Sequence, residues 1–233
     1  MSIQNQMELV SSLQAPQKPS VDVLIIAGEH SGDEQAARML RSLLDINAEA
    51  NVAALGGPEL KKAGADLIFD MMPYAVIGFA EALKRYSEFK ALRDAIVDWI
   101  VEYKPKVVCF VDYPGLNLRV ADILHDKKVT SKSGGSIRLA YYISPQVWVW
   151  KAGRRFKMAR LLDGLAVIFP FEVDSFSDTE LDTIFVGHPF LGKDYELPIA
   201  YDPEGEVLLL PGSREGPISR IAPVMLSALE RLF

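Results

Sequence analysis

The amino-acid sequence predicts a doubly wound α/β domain built on a mainly parallel sheet. Apolar segments of strand length alternate along the chain with longer amphipathic segments. Several of the short segments are apolar at every position, which is typical of strands that helices cover on both faces. Ligands bind such sheets at the carboxyl ends of the strands, so the loops that follow strands matter most for function.

The elements of this domain follow from hydrophobic periodicity. Strands are predicted at residues 21–27, 52–55, 107–111, 137–143, 165–168 and 183–186. Helices are predicted at residues 33–44, 80–103, 118–125, 154–161 and 171–177.

The ends of the sequence differ from this domain, which is expected to span residues 21–190. Residues 1–20 are polar and are expected to form a flexible tail, and residues 191–205 have the composition of a linker. A strand at 206–210 and a helix at 218–233 follow. One strand and one helix cannot bury their own apolar faces, so residues 206–233 are expected to begin a second, incomplete domain.

Composition excludes several classes of protein. The 233 residues carry 25 Lys and Arg against 31 Asp and Glu, and this net charge of −6 argues against a nucleic-acid-binding protein. The single cysteine, Cys109, cannot form an internal disulfide, which fits a reducing cytoplasm. The first 20 residues lack the apolar core of a secretory signal, and the low-charge stretch 71–80 is too short to span a bilayer. A soluble or peripheral cytoplasmic protein is expected.

The loop after the first strand has the sequence AGEHSGD, residues 27–33. It is not the dinucleotide-binding pattern, and the carboxylates of Glu29 and Asp33 would repel a pyrophosphate. Together with Ser31, they suit the recognition of sugar hydroxyls. A capped helix start, with Ser31 or Asp33 as the cap, explains the same residues, and the sequence leaves both interpretations open.

Two residues near strand ends are candidates for a general base. Asp112 directly follows a buried run, where desolvation raises a carboxyl pKa. The alternative is an Asx-type turn with Asn117 capping the next helix. His188, near the end of the last strand, is a second candidate, although a structural hydrogen bond is the more usual role for such a histidine.

Two further segments suit anionic ligands. Trp148 and Trp150 precede five basic residues with no acid among them, a pattern that suits an anionic lipid surface or a phosphorylated lipid. Core tryptophans before a solvated basic helix are the alternative. After the predicted strand 206–210, Gly212, Ser213 and Arg214 can form a diphosphate cradle of backbone amides and a guanidinium.

Together these segments resemble the lipid-A-disaccharide synthase family over about residues 21–214. The resemblance rests on their order and spacing, since each alone is weak. The matching segments are AGEHSGD (27–33), GGPELKKAGAD (56–66), PYAVIGFAEAL (73–83), DYPGLN (112–117), YISPQVWVWKAGRRFK (142–157), FPFE (169–172), FVGHP (185–189) and LLPGSR (209–214).

The resemblance implies the amino-terminal half of a two-domain glycosyltransferase of the GT-B type, with Rossmann-like halves and a truncated carboxyl-terminal domain. Members of the family transfer 2,3-diacylglucosamine from a UDP-linked donor to 2,3-diacylglucosamine 1-phosphate. They form a β-1,6 bond with inversion, release UDP and need no metal or other cofactor. The implied location is peripheral, on the cytoplasmic face of the inner membrane of a Gram-negative bacterium.

The resemblance also assigns residues. Asp112 matches the essential aspartate, the base that acts on the acceptor 6-hydroxyl, and Gly212, Ser213 and Arg214 match the loop that faces the donor diphosphate. Substrate-binding roles are expected for Glu29, Ser31, Asp33, Glu81, Asn117, Ser144, Trp148 and Arg154. The chain departs from the family at Gly115, where some members have a second acid, and at Pro217, where a glutamate is usual.

Two functions from different classes remain open. The first is an inverting hexosyltransferase of lipid A assembly, and the second is a catalytically idle fragment that binds only the acceptor lipid. A nucleotide-binding oxidoreductase is disfavoured because the dinucleotide fingerprint is missing. The chain alone is expected to bind the acceptor without making disaccharide, and to gain activity with a separately encoded second half.

Overall fold

The computed structural model describes residues 13–75, 86–192, 202–204, 207–212 and 215–231. The chain divides into two compact units, residues 1–192 and residues 193–233. The division falls within the segment expected to be a linker.

The first unit contains a seven-stranded sheet. Its strands are β1 (Val23–Ala27), β2 (Val52–Gly56), β3 (Asp66–Asp70), β4 (Val107–Val111), β5 (Arg138–Tyr142), β6 (Gly164–Val167) and β7 (Thr183–Phe185). Its helices are α1 (His30–Ile46), α2 (Pro58–Lys62), α3 (Met72–Ala75), α4 (Tyr86–Tyr103), α5 (Pro114–Asp126), α6 (Arg154–Leu161) and α7 (Phe171–Asp174). Short 3-10 turns lie at Ser131–Ser133 and Pro189–Leu191.

The strands are ordered β3-β2-β1-β4-β5-β6-β7, and every neighbouring pair is parallel. The chain first builds the sheet outward from β1 to β3 and then returns to place β4 on the other side of β1. The strand order therefore reverses between β1 and β4, and a crevice opens beyond the carboxyl ends of these two strands.

Apolar side chains of the strands are buried on both faces of the sheet, as predicted. Along β1, Leu24 and Ile26 join one core cluster, whereas Ile25 joins a second cluster. Helices α4, α5 and α6 contribute to the first cluster, and α1 and α2 contribute to the second. The prediction of a doubly wound, Rossmann-like α/β fold is confirmed.

Several predicted boundaries were wrong, and three elements, β3, α2 and α3, were missed. Strand β3 and helix α2 were missed because each has five residues, and β3 carries an aspartate at both ends. Helix α1 starts at His30 rather than residue 33, and α5 starts at Pro114 rather than residue 118, since proline is compatible with a first helical turn. Helix α7 ends at Asp174 instead of residue 177. The start predicted at residue 80 for α4 lies outside the described residues.

The described part of the polar tail is attached to the sheet rather than free. The Gln14 amide donates to the Ile68 carbonyl at 3.0 Å, and the Trp99 indole donates to the Gln14 carbonyl at 2.9 Å. The Gln17 amide donates to an Asp66 carboxylate oxygen at 2.7 Å. A hydrophobic pattern could not reveal this attachment because all three bonds use backbone atoms of polar residues.

The second unit contains one described helix, α8 (Glu215–Leu229), with Pro223 inside it. This helix starts three residues before the predicted one. The strand predicted at 206–210 was wrong for its described part, since Val207–Leu210 form no β-strand. A strand needs a neighbouring strand for its backbone hydrogen bonds, and no described segment pairs with this one.

Candidate functional site

The loops after β1 and β4 meet at the point where the strand order reverses. Ala27, the last residue of β1, is in register with Val111, the last residue of β4, and the two strands are parallel. Ser31 and Asp112 therefore follow the carboxyl ends of adjacent strands, at the same edge of the sheet.

The turn after β4 has an uncommon backbone conformation. Asp112 and Tyr113 both lie in the left-handed region, with φ values of 45° and 47°. The Tyr113 ring packs onto Gly28, where a Cβ atom would overlap the ring. Burial, followed by the charge of Glu29, raises the pKa of Tyr113. The two loops are thus in direct contact, and glycine at position 28 makes the close approach possible.

A cavity of about 280 Å³ opens beside this turn. Residues that line it include Asp112, Ser144, Trp150, Arg154, Phe169 and Glu172. Three of the predicted site residues, Asp112, Ser144 and Arg154, are therefore brought together. Ser144 is buried, and its hydroxyl donates to the Pro145 carbonyl at 3.0 Å.

The carboxyl group of Asp112 is in the environment that the sequence predicted. Burial raises its pKa, and a backbone hydrogen bond from Tyr113 opposes this with a smaller effect. A carboxyl with a raised pKa is a better proton acceptor from a hydroxyl than an ordinary surface aspartate. Its position at a cavity wall gives a ligand access to it.

Three of the five basic residues that follow Trp150 are paired with acids. Arg155 pairs with Asp178 at 2.5 Å, and Lys157 and Arg160 both pair with Asp122 at 2.7 Å. These acids come from other parts of the chain, so the local sequence could not show them.

Arg154 differs from its neighbours in this cluster. Within the part of the chain that the structure describes, no carboxylate lies within salt-bridge distance of its guanidinium. Lys151 instead lies over the Trp150 ring, 4.2 Å from the ring centroid. The one cluster arginine that lines the cavity is therefore available to an anionic ligand.

Sequence reasoning missed Glu172, a second carboxylate in the cavity wall. Its side chain is buried, and Oε2 accepts hydrogen bonds from the amides of Ile168 and Phe169 at 3.2 and 3.0 Å. Burial raises its pKa. An acid five residues after the end of β6, in the FPFE segment, was the available signal.

Trp148 and His188 belong to a row of aromatic rings beside the cavity rather than to its wall. Trp148 meets Phe171 edge-on with centroids 5.0 Å apart, and Phe171 stacks on Phe169. His188 contacts Phe169, and its Nδ1 accepts a hydrogen bond from the Phe190 amide at 3.2 Å. This supports the structural interpretation of His188 over the catalytic one.

Two residues of the predicted site have structural roles. Asp33 does not cap its own helix: it is 1% exposed, and its carboxylate accepts from the amides of Gly57, Glu59 and Leu60 at the start of α2. Its oxygens are therefore used inside the protein. Asn117 is fully buried inside α5 and does not cap that helix, whose N-cap is Tyr113.

The structure describes some of the remaining predicted site residues and not others. Glu29 is half-buried at the N-cap of α1, and Ser31 is exposed in its first turn. Gly212 is exposed, with a φ of 110°. Glu81, Ser213 and Arg214 lie outside the described residues.

Comparison with known proteins identifies relatives along nearly the whole chain. The family model described as lipid-A-disaccharide synthetase matches residues 23–232. A lipid-A-disaccharide synthase of Geobacter metallireducens is 34% identical over 223 residues, which are 92% of this chain and 56% of the relative. Lipid-A-disaccharide synthase 1 of Legionella pneumophila is 35% identical over 222 residues, covering 90% of this chain and 55% of the relative.

The chain thus spans about half the length of the curated relatives it matches. None of the helices that the structure describes is long and apolar enough to cross a membrane. The matched residues include the sheet and the loops at its carboxyl edge. This chain belongs to the lipid-A-disaccharide synthase family.

Proposed function

We propose that this chain forms the acceptor side of an inverting hexosyltransferase of lipid A assembly. The reaction transfers 2,3-diacylglucosamine from its UDP-linked donor to 2,3-diacylglucosamine 1-phosphate, forms a β-1,6 bond and releases UDP. Membership in the family supports the reaction class. The observation that carries the proposal is a cavity beside the carboxyl ends of β4, β5 and β6 that is lined by both a half-buried carboxyl, Asp112, and an arginine, Arg154.

Asp112 acts as the general base in this mechanism. Its carboxylate accepts the proton of the acceptor 6-hydroxyl while that oxygen attacks the anomeric carbon of the donor. The bond from the anomeric carbon to the diphosphate breaks, and UDP leaves with the electron pair. Because burial raises the pKa of Asp112, the carboxylate is a stronger base in the cavity than in water.

Arg154 binds the 1-phosphate of the acceptor. A guanidinium can donate two parallel hydrogen bonds to phosphate oxygens, and these bonds are stronger where water is partly excluded. The cavity of about 280 Å³ is at the lower limit for small-molecule sites, so it suits the sugar and its phosphate. The acyl chains then lie along the neighbouring aromatic row, where Trp148 and Phe171 are 48% and 45% exposed.

Other contacts complete the proposed site. Glu29 and Ser31 are placed to bind sugar hydroxyls from the loop after β1, and Glu81 is assigned to the acceptor as well. Gly212, Ser213 and Arg214 are assigned to the donor diphosphate by family resemblance. Attachment to the cytoplasmic face of the inner membrane, and a separately encoded second half, stay predictions.

A two-stage assay with the purified chain tests this function. The first stage measures binding of 2,3-diacylglucosamine 1-phosphate in detergent micelles, and the second adds the UDP-linked donor and follows disaccharide by mass spectrometry. We expect acceptor binding that requires the 1-phosphate. Disaccharide formation identifies a transferase, whereas binding without product supports an acceptor-binding fragment. Failure to bind the acceptor contradicts the proposal.

A further inference from the structure

The left-handed turn after β4 must be stabilised by its surroundings. Left-handed backbone conformations are unfavourable for residues other than glycine, and here Asp112 and Tyr113 adopt them consecutively. Such a pair persists only when neighbouring groups fix it. The contacts of Asp112 show which groups do so.

Two buried side chains donate hydrogen bonds to the same carbonyl oxygen of Asp112. The Tyr141 hydroxyl donates at 2.5 Å, and Nδ2 of Asn117 donates at 2.7 Å. Tyr141 is 1% exposed and Asn117 is fully buried. The Asp112 amide donates in turn to the Tyr142 carbonyl at 3.1 Å. The backbone of Asp112 is therefore held on both sides by β5 and also by α5.

The buried position of Tyr141 explains why its hydroxyl bonds to the Asp112 carbonyl. The ring lies in the apolar core beside Phe110, with ring centroids 6.0 Å apart, and a buried phenol needs a hydrogen-bond partner there. The Asn117 side chain is also fixed in position, because its Nδ2 donates to the Val111 carbonyl at 3.4 Å as well. A different backbone conformation at Asp112 would move its carbonyl away from both donors.

We propose that Tyr141 and Asn117 are positioning residues that fix the left-handed conformation of Asp112 and thereby hold its carboxylate at the cavity wall. They act through the Asp112 carbonyl and do not touch the substrate. The consequence for catalysis rests on the proposed role of Asp112 as the base, whereas the consequence for the backbone does not. A base that shifts by about 1 Å can lose on the order of 10²-fold in rate.

Two tyrosine substitutions separate this role from general packing. Tyr141→Phe removes the hydroxyl that bonds to Asp112 and keeps the ring in the core. Tyr142→Phe is the matched control, because it removes a hydroxyl from the next residue of the same strand and keeps the backbone carbonyl that binds the Asp112 amide. Asn117→Ala is a second test variant that removes the other donor.

The first readout is the backbone chemical shift of Asp112 and Tyr113 in NMR spectra of the isotope-labelled chain, since these shifts report backbone conformation. We expect the two resonances to leave their left-handed values in Tyr141→Phe and in Asn117→Ala, and to stay in place in Tyr142→Phe. Unchanged shifts in both test variants would overturn the proposal. This readout needs no ligand, so it decides the positioning role even if the acceptor does not bind.

The second readout compares turnover and acceptor affinity. In the active enzyme that includes the second half, we expect Tyr141→Phe to lower kcat on the order of 10²-fold with little change in the acceptor KM. In an Asp112→Asn background the same substitution should change the residual rate little, because the tyrosine acts through that aspartate. An equal loss in both backgrounds would show that Tyr141 acts elsewhere. A wild-type chain that neither binds nor turns over substrate counts against the proposed function, while the NMR result still stands.

Discussion

Asp112 combines access to a cavity with partial removal from water. The raised pKa of its carboxyl comes from burial, and the charges of the paired cluster residues are directed to other acids. The same desolvation that makes it a better base also makes its charged form unfavourable in the folded protein. Stability and activity should therefore respond oppositely to its neutralisation.

Replacing Asp112 with asparagine tests this relation. In a complete, active enzyme that includes the second half, we expect turnover to fall by roughly 10²–10⁴-fold, the range for loss of a general base. At neutral pH the variant should be the more stable protein, because it lacks a desolvated charge. The folded-state pKa lies above the unfolded one, so this advantage should disappear as pH falls through the raised pKa.

Thermal unfolding of both proteins across an acid-to-neutral pH series measures the effect. A variant that is less stable than wild type by the same amount at every pH contradicts the assignment of a desolvated carboxylate.

The sequence alone could locate Asp112 because it directly follows a buried strand, and it could locate Ser144 and Arg154 through the family resemblance of the segment that contains them. It could not identify Glu172 or Tyr141 as parts of the site, since their roles depend on contacts made after folding. The structural role of Asp33 was missed for the same reason. Its partners are backbone amides 24 to 27 residues away, which no local pattern shows.

At the scale of elements, Asp33 connects the two helices that follow β1 and β2. Three amides at the start of α2 donate to its carboxylate at 2.8 to 3.2 Å. Replacement by alanine should reduce the free energy of unfolding by about 1–3 kcal/mol, because buried donors lose a charged acceptor. Chemical denaturation measures this, with Glu34→Ala as the control at the adjacent exposed position. Equal stability of the two variants would refute the capping role.

The contact between the loops after β1 and β4 predicts opposite effects for two neighbouring glycines. Gly28→Ala places a methyl group against the Tyr113 ring and should destabilise the protein by about 1–3 kcal/mol. Gly32→Ala should be neutral or stabilising by up to about 1 kcal/mol, because a Cβ at this position of α1 makes only ordinary contacts with Ala27 and Val111. The melting temperatures of the two variants measure these effects on stability. Similar losses would show that Tyr113 does not set the spacing of the loops.

The strands that hydrophobic periodicity predicted correctly and those that it did not differ for physical reasons. All six strands predicted within residues 21–190 correspond to apolar runs and were found, whereas β3 was missed between charged ends. The strand predicted at 206–210 has the right residue types, but a strand forms only when a partner supplies hydrogen bonds. The strand propensity of residues 206–210 identified the segment, but propensity does not show whether a partner strand is present.

At the scale of the whole molecule, the surface near the cavity predicts how the chain meets lipid. Trp148, Val149 and Trp150 are 48%, 61% and 60% exposed, while three of the following cations are paired with acids. Binding to phospholipid vesicles should therefore depend mainly on apolar contact and only weakly on salt. Vesicle sedimentation at low and high salt measures this. Binding that is lost at high salt would show that charge dominates.

The central claim is that the cavity binds an acylated sugar phosphate through Arg154. Calorimetric titration of 2,3-diacylglucosamine 1-phosphate into wild type, Arg154→Ala and Arg155→Ala tests it most directly. Arg155 is the matched control because Asp178 already occupies its guanidinium. We expect the affinity for 2,3-diacylglucosamine 1-phosphate to fall by roughly tenfold or more in Arg154→Ala, since a charge-assisted contact is lost, and to change little in Arg155→Ala. Equal affinities for wild type and Arg154→Ala would contradict it.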